Sequence, residues 1–424
     1  MHQQALPKFR VAICGGGIGG LTLAFCLSQC PDLQVDLYEA TARFSEVGAG
    51  IGMWWRTWSI MKTLRLDGDI AALLVPTLHY RKADQPEGFD IGDVAARGGL
   101  LTLHRAEFHQ LLLNRLSPRC QTFTGKRLRH YIQPIPSGAP IQLVFQDGST
   151  ASCDLLVGAD GLRSVVRTLM LRGQAKLADA RSARAEAVRL RDCIQPRWTG
   201  VLVYRVLIPA ERLRLIAPDH RIFSVPTQYL GKNRHLMAYP ISHGRFVNVA
   251  AFDVQYNKEG SLFTDPWVAE VDPLNVKQLY SDFEPEAKQI VDCIDGLQVN
   301  QWAVNVIKPL PTFVSDRVAL LGDAAHAMTP FQGAGAGQAI ETLHHSLRIY
   351  SEVRRPLAYQ VAERSRRNGT YFALHDVGVD GAGSSLTELG RKIQQSFDWL
   401  WDSDPAVDHR RAIDLLEREL SGRL

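Results

Sequence analysis

The sequence predicts an α/β fold: a Rossmann-like nucleotide-binding domain with an inserted, mostly antiparallel β-sheet domain and a helical C-terminal region. Three features predict it: a strand, glycine turn, helix and strand at the start, a β-rich middle, and a late return to buried strand and glycine loop. Phe9 to Cys14 reads as a strand, GGGIGG from Gly15 to Gly20 as the turn, LTLAFCLSQC as the helix and Gln34 to Tyr38 as the next strand, making one βαβ unit. Arg105 to Leu116 has helical periodicity, while Ile141 to Phe145, the turn Asp147-Gly148 and Leu155 to Val157 read as strand and turn. Between about Gly200 and Phe252, VLVYRVLIP, RIFSVP, RHLMAYPI and RFVNVAAF are β-rich stretches separated by Pro, Gly, Asn and His. From Arg317, VALLGDAAH reads as a buried strand entering a loop, followed by PFQGAGAG and a helix from about Gln338; past Arg354 the chain is mainly helical. The expected boundaries are 1–178 for the first part of the nucleotide-binding domain, 179–305 for the sheet domain, 306–370 for the return and 371–424 for the helical region.

Composition sets the outer limits. A chain of 424 residues has room for two or three domains and a large core. Its 46% hydrophobic and 22% charged content is that of a globular protein, and a net charge of +4 is too mild to require nucleic acid or another polyanion. No uncharged run is long enough for a membrane span and MHQQALPKFR lacks a signal-peptide core, so a cytoplasmic location is expected. Seven cysteines without CxxC or zinc-ribbon spacing read as reduced thiols. The oligomeric state is not encoded in any of these features.

The glycine turn carries the first chemistry. A pyrophosphate can approach a backbone only where side chains are missing, and the following helix N-terminus offers N–H donors and a positive dipole end. Gly15, Gly17 and Gly20 have that spacing. Glu39 ends the next strand about 20 residues on, where a carboxylate meets a ribose hydroxyl, although an ordinary strand-end acid fits the same position. Strand, turn, helix and acid together point to dinucleotide binding.

Two later stretches narrow this. LLVGADGLRSVVR carries Asp160, Gly161 and Arg163, and LLGDAAHAMTPFQGAGAGQ carries Gly322 and Asp323. With the opening GxGxxG, with Arg105 at the start of a helix in LTLHRAEFHQLL and with the tail WLWDSDP at Trp399 to Pro405, the chain resembles the flavin-dependent aromatic monooxygenases of the salicylate hydroxylase and para-hydroxybenzoate hydroxylase type over essentially its whole length. The resemblance makes the nucleotide-binding domain an FAD-binding domain. It implies reduction of FAD by NADH or NADPH as a transient donor, use of O2 as co-substrate, and hydroxylation of a phenolic or hydroxybenzoate-like aromatic through a flavin hydroperoxide, with or without decarboxylation or dearomatisation. Epoxidation or indole oxidation on the same fold, and a non-catalytic flavin-binding protein, are the alternatives. No second strand, GxGxxG and helix occurs in mid-chain; neither Gly48 to Gly52 nor Gly333 to Gly337 has that arrangement.

The site residues follow. Asp323, between a buried run and a glycine loop, can accept hydrogen bonds from ribityl hydroxyls, and N–H groups around Gly335 and Gly337 can face the electron-rich edge of a flavin. Pro330 fixes that loop, and in the family the matching proline lies beside the reacting flavin carbon. Gln338 stands where the family often has Asn, which alters the amide's reach. In relatives that hydroxylate substituted phenols an arginine and a tyrosine on two sheet strands bind the phenolate, which carries over to Arg205 and Tyr239; a surface arginine and a core tyrosine are the plain readings. Tyr204 falls on the opposite strand face. Trp54, Trp55 and Trp58 read equally as a pocket wall or as helix packing of Trp54 on Trp58, and His326 either positions the flavin, relays a proton or satisfies loop backbone. No metal site is expected: the Glu341 and His344 pair reads as a solvated helix face, Asp402, Asp404 and Asp408 as helix caps, and the arginines of 163–191 and 354–367 as solvated faces.

Overall fold

The computed structural model describes residues 8–44, 49–69, 73–134, 138–341, 347–375 and 385–421. The opening βαβ unit forms as its pattern requires: Phe9–Cys14 lies parallel to Leu33–Tyr38, with Ile18–Ser28 between them. Gly15, at φ 116°, would place a Cβ 2.1 Å from the Ala159 carbonyl oxygen, and Gly20 would place one 2.0 Å from that of Gly15, so only glycine lets turn, strand and helix meet this closely. Around this unit a six-stranded sheet runs Val314–Ser315, Val318–Leu320, Leu155–Gly158, Phe9–Cys14, Leu33–Tyr38, Cys120–Phe123, all parallel except its first pair. The apolar strands buried on both faces carry the core typical of such sheets, with Leu21 and Ala24 of one helix on one side and Val166, Met170 and Leu171 of Val165–Ala180 on the other.

The second sheet has nine strands, in the order Val268–Val271, Val299–Val306, Arg197–Pro209, Phe246–Val254, Arg234–Ile241, Thr227–Gly231, Leu73–Lys82, Phe89–His104, Gly50–Trp54. It is antiparallel except where Thr227–Gly231 lies along Leu73–Lys82. Its last three strands come from the segment between the first two strands of the other sheet and Arg105, so the sheet closes back on the nucleotide-binding half. Register pairs Tyr239 with Asn248, Met237 with Ala250 and His235 with Phe252, and Ala250 with Arg205, which aligns these residues across one face. Tyr204 packs on the opposite face.

Two arginine stretches expected on solvated faces contain buried members. Arg167 is 1% exposed and donates to the carbonyls of Ala324 (3.1 Å), Leu162 (2.6 Å) and Ile194 (3.4 Å). Arg354 is 2% exposed and paired with Glu341 and Asp408. The C-terminal region is helical, Ser385–Ser396, Trp399–Asp402 and Pro405–Ser421. No described helix is long and apolar enough to cross a membrane. All seven cysteines are free.

Candidate active site

Two hollows receive most of the expected residues. The first, of about 290 Å³, lies at the glycine turn and is lined by Gly15, Gly17, Glu39, Asp160 and Arg163 among others. Gly17 caps the Ile18–Ser28 helix and has nothing within 4 Å of where a Cβ would stand, which leaves its backbone open to the hollow. Glu39 Oε2 accepts the Gly16 N–H at 2.8 Å, and Oε1 accepts the backbone N–H and hydroxyl of Thr41 at 2.8 and 2.9 Å. Asp160 accepts the Ser164 hydroxyl at 2.5 Å and the Val165 and Val166 N–H groups at 2.7 and 3.2 Å, so it also caps the second long helix. Burial pushes its pKa up against those hydrogen bonds. Gly20 does not line this hollow; its place is in helix–strand packing.

The second hollow is a cleft of about 340 Å³ between the sheets, and it brings together Arg105, Arg205, Tyr239, Asp323, Pro330 and Gly335. Each side chain arrives from a different element: Arg105 opens a helix, Arg205 and Tyr239 sit on neighbouring strands of the Phe246–Val254 strand, and Asp323 follows Gly322, whose φ of 62° turns the chain out of its strand. Gly337 is outside the cleft; a Cβ there would meet the Thr57 hydroxyl at 2.4 Å, so it serves close helix packing instead. Asp323 keeps its carboxylate open to the cleft, and the protein crowded around it pushes its pKa up while Arg105 and Arg167 pull it down. Burial, reinforced by the like charge of Arg105, lowers the pKa of Arg205. Among the described residues Arg205 forms no ion pair, its Nε is sealed from solvent without a hydrogen-bond partner, and its guanidinium lies 5.6 Å from the Trp302 ring centre. Tyr239 is pushed up to about 12 by burial, against the pull of Arg205, and remains a neutral O–H donor.

Comparison with known proteins bears on what fills these hollows. The chain is 40% identical to the FAD-dependent monooxygenase str9 of Strobilurus tenacellus, over 97% of this chain and 99% of that one. It is 32% identical to a salicylate hydroxylase of Pseudomonas putida, covering 95% and 93%, and 32% identical to the 6-methylsalicylate 1-monooxygenase atA of Aspergillus terreus, covering 98% and 95%. A solved salicylate hydroxylase substrate complex superposes with a TM-score of 0.80 at 28% identity, over 96% of this chain and 98% of that one. The family model described as an FAD binding domain matches residues 8–355. The chain belongs to this family of FAD-dependent monooxygenases.

A monooxygenase of the salicylate hydroxylase type needs room for an extended dinucleotide, and the residues fit one. Gly17 and Gly335, in separate hollows, each face open space where any side chain would intrude. Between them Arg167 ties the Leu162 turn of the first hollow to Ala324 behind the cleft.

The structure also supplies residues that sequence reasoning missed. His235 is fully buried, stacks on Phe252 with ring centres 4.3 Å apart, and holds Nδ1 2.5 Å from the Gln228 side-chain nitrogen; its Nε2 has no partner. Burial lowers its pKa to about 3, so it lines the cleft as a neutral imidazole. The two-residue strand period shared with Tyr239 was the available signal. Trp54 lines the cleft and joins a different apolar cluster from Trp58, so the pair do not pack together as one helix face. His326 lies against a separate cavity of about 760 Å³, not in the cleft, and its Nδ1 has no partner. Gln338 turns away from the cleft, its Oε1 accepting from Arg354 at 3.0 Å. Glu341, expected on a solvated face, is 7% exposed and paired with Arg56 and Arg354, while His344 lies outside the described residues. Asp404 caps the last helix through the Ala406 N–H, but Asp408 binds the same two arginines. Among the described residues no cluster of metal-ligating side chains forms.

Proposed function

We propose that this monooxygenase hydroxylates a small phenolic or hydroxybenzoate-like aromatic in the cleft, drawing electrons from NADH or NADPH and oxygen from O2. Bound FAD supplies the activation of O2; the protein must bind, orient and ionise the ring and keep water out. The observation that carries the reading is Arg205, a cation in the cleft with no carboxylate partner among the described residues. Such a group, half-buried with its Nε sealed from solvent, calls for an anion, because a charge stripped of part of its water without a partner is costly. A phenolate or ring carboxylate supplies it, with the Tyr239 hydroxyl donating to the same oxygen and the aromatic walls of Trp54, Phe252 and Phe331 holding the ring plane. Favouring the phenolate makes the ring more nucleophilic toward the oxygen it receives.

On the cofactor side, Gly15, Gly17 and the helix they open receive the pyrophosphate, Glu39 a ribose, and Asp160 shapes the same turn. Arg105 and Asp323 face the ribityl and ring portion, and Pro330 and Gly335 bound the flavin edge. Oxidation of NADH and NADPH by the purified protein, followed across a panel of phenols and benzoates with product analysis, tests the reading. Turnover confined to neutral alkenes or indoles would favour the same-fold alternative. Yellow protein with no turnover on any aromatic would favour a binding role.

A further inference from the structure

The tail WLWDSDP and the helix that follows it have no part in the chemistry above, yet together they hold the cleft's glycine loop at both ends. At the near end Gln332 is 1% exposed, beside Pro330 and before Gly333, whose φ is 59°. Its backbone carbonyl accepts the Trp54 indole N–H at 2.8 Å, and its side-chain Oε1 accepts the Trp399 indole N–H at 2.9 Å. At the far end the Gly335–Ile340 helix runs into Glu341, whose Oε2 accepts Arg56 Nε and Arg354 Nη2, each at 3.0 Å. Both arginines then converge on one oxygen of Asp408 in the last helix, at 2.8 and 3.0 Å, and Arg56 also donates to Ser403 at 2.7 Å. Two cations and two carboxylates balance, so removing one acid leaves a buried cation short of compensation.

Between these anchors the cleft wall is Gly333, Ala334, Gly335 and Ala336. Gly335 has no atom within 4 Å of a Cβ position. A segment of glycine and alanine has almost no side chain with which to fix itself, so its course is set by its ends. We propose that Trp399 and Asp408 are positioning residues for the flavin: Trp399 acts through Gln332, Asp408 through Arg56 and Arg354 on Glu341, and together they hold the loop backbone against the cofactor. The inference rests on the placement of the flavin ring in this cleft.

The test is FAD titration of the full-length apoprotein, read by flavin fluorescence and the visible bands of the bound flavin, alongside Tm. W399F keeps an aromatic body and deletes the N–H; D408N removes the charge and keeps the shape. Each is expected to raise the FAD Kd about tenfold, ~1.4 kcal/mol, and to shift the visible bands; Tm stays within about 3 °C of the parent in W399F and falls further in D408N, which leaves a buried cation short of its acid. Binding within twofold of the parent and unchanged bands in both variants would overturn the clamp, whatever happens to Tm. G335V distinguishes loss of the clamp from loss of the ring site. If G335V weakens FAD binding while W399F and D408N do not, only the clamp fails; if G335V binds FAD normally, the placement of the ring in this cleft fails and the clamp with it.

Discussion

Replacing Arg205 by Gln tests the electrostatic reading of the cleft. The side chain forms no ion pair among the described residues and its Nε is buried without a partner, so an anionic ring meets a donor that has surrendered little to other groups. A hydrogen bond to a charged partner contributes about 1.5–3 kcal/mol. At ~1.36 kcal/mol per decade, R205Q should lower kcat/KM for a hydroxybenzoate about 10- to 150-fold. The bare attraction at ~4 Å and an effective dielectric of about 20 is ~4 kcal/mol, so that range leaves room for desolvation. The same change removes a cation that burial and Arg105 already disfavour, so Tm should hold or rise. The assay compares kcat/KM for a hydroxybenzoate and for a neutral aromatic of similar shape, together with the FAD Kd. Equal losses for both aromatics, or FAD binding that falls in step with them, would refute the role given to Arg205.

Other outcomes follow from the same geometry. E39Q removes the charge beside the Gly16 N–H and the expected ribose contact, and should raise the FAD Kd about tenfold in apoprotein titration; an unchanged Kd would detach Glu39 from the cofactor. R167M leaves the carbonyls of Ala324, Leu162 and Ile194 without their donor and should cost about 3 kcal/mol in urea unfolding, whereas a loss under ~1 kcal/mol would mean that water replaces the guanidinium. Burial holds His326 at about 4, below its ordinary 6.5. The unfolded chain therefore takes up a proton below pH 6.5 that the folded chain refuses, and stability present above 6.5 should drain away between pH 6.5 and about 4. H326N should flatten that slope in urea midpoints; an identical slope would assign the acid loss elsewhere, with His235, held at about 3, as the next group to replace.

The nucleotide-binding unit was legible because it is local. Strand, glycine turn and helix lie within the first 28 residues, and the φ of Gly15 and the contact at Gly20 are consequences of that short stretch. Arg205 and Tyr239 could be placed on strands because β-rich stretches there are set off by Pro, Gly, Asn and His, and register brings them into one cleft with Pro330 and Asp323. What could not be read is what distant segments contribute. The strands of Gly50–His104 join the second sheet through pairings that no local pattern specifies. Glu341 and Arg354 look like solvated helix positions until Arg56, 285 residues from Glu341, and Asp408, 54 residues from Arg354, are brought beside them. Gly335 and Gly337 share one motif, yet only the first faces the cleft; the difference lies in the Thr57 hydroxyl, supplied by another helix.

Whether this enzyme inserts oxygen from O2 into an anionic ring is read most directly by turnover under 18O2 with a hydroxybenzoate as substrate and NADH or NADPH as donor. One labelled oxygen should appear in the aromatic product, and only when donor, FAD and the anionic ring are all present. Donor oxidation that yields hydrogen peroxide, and no labelled product from any phenol or benzoate, would contradict it.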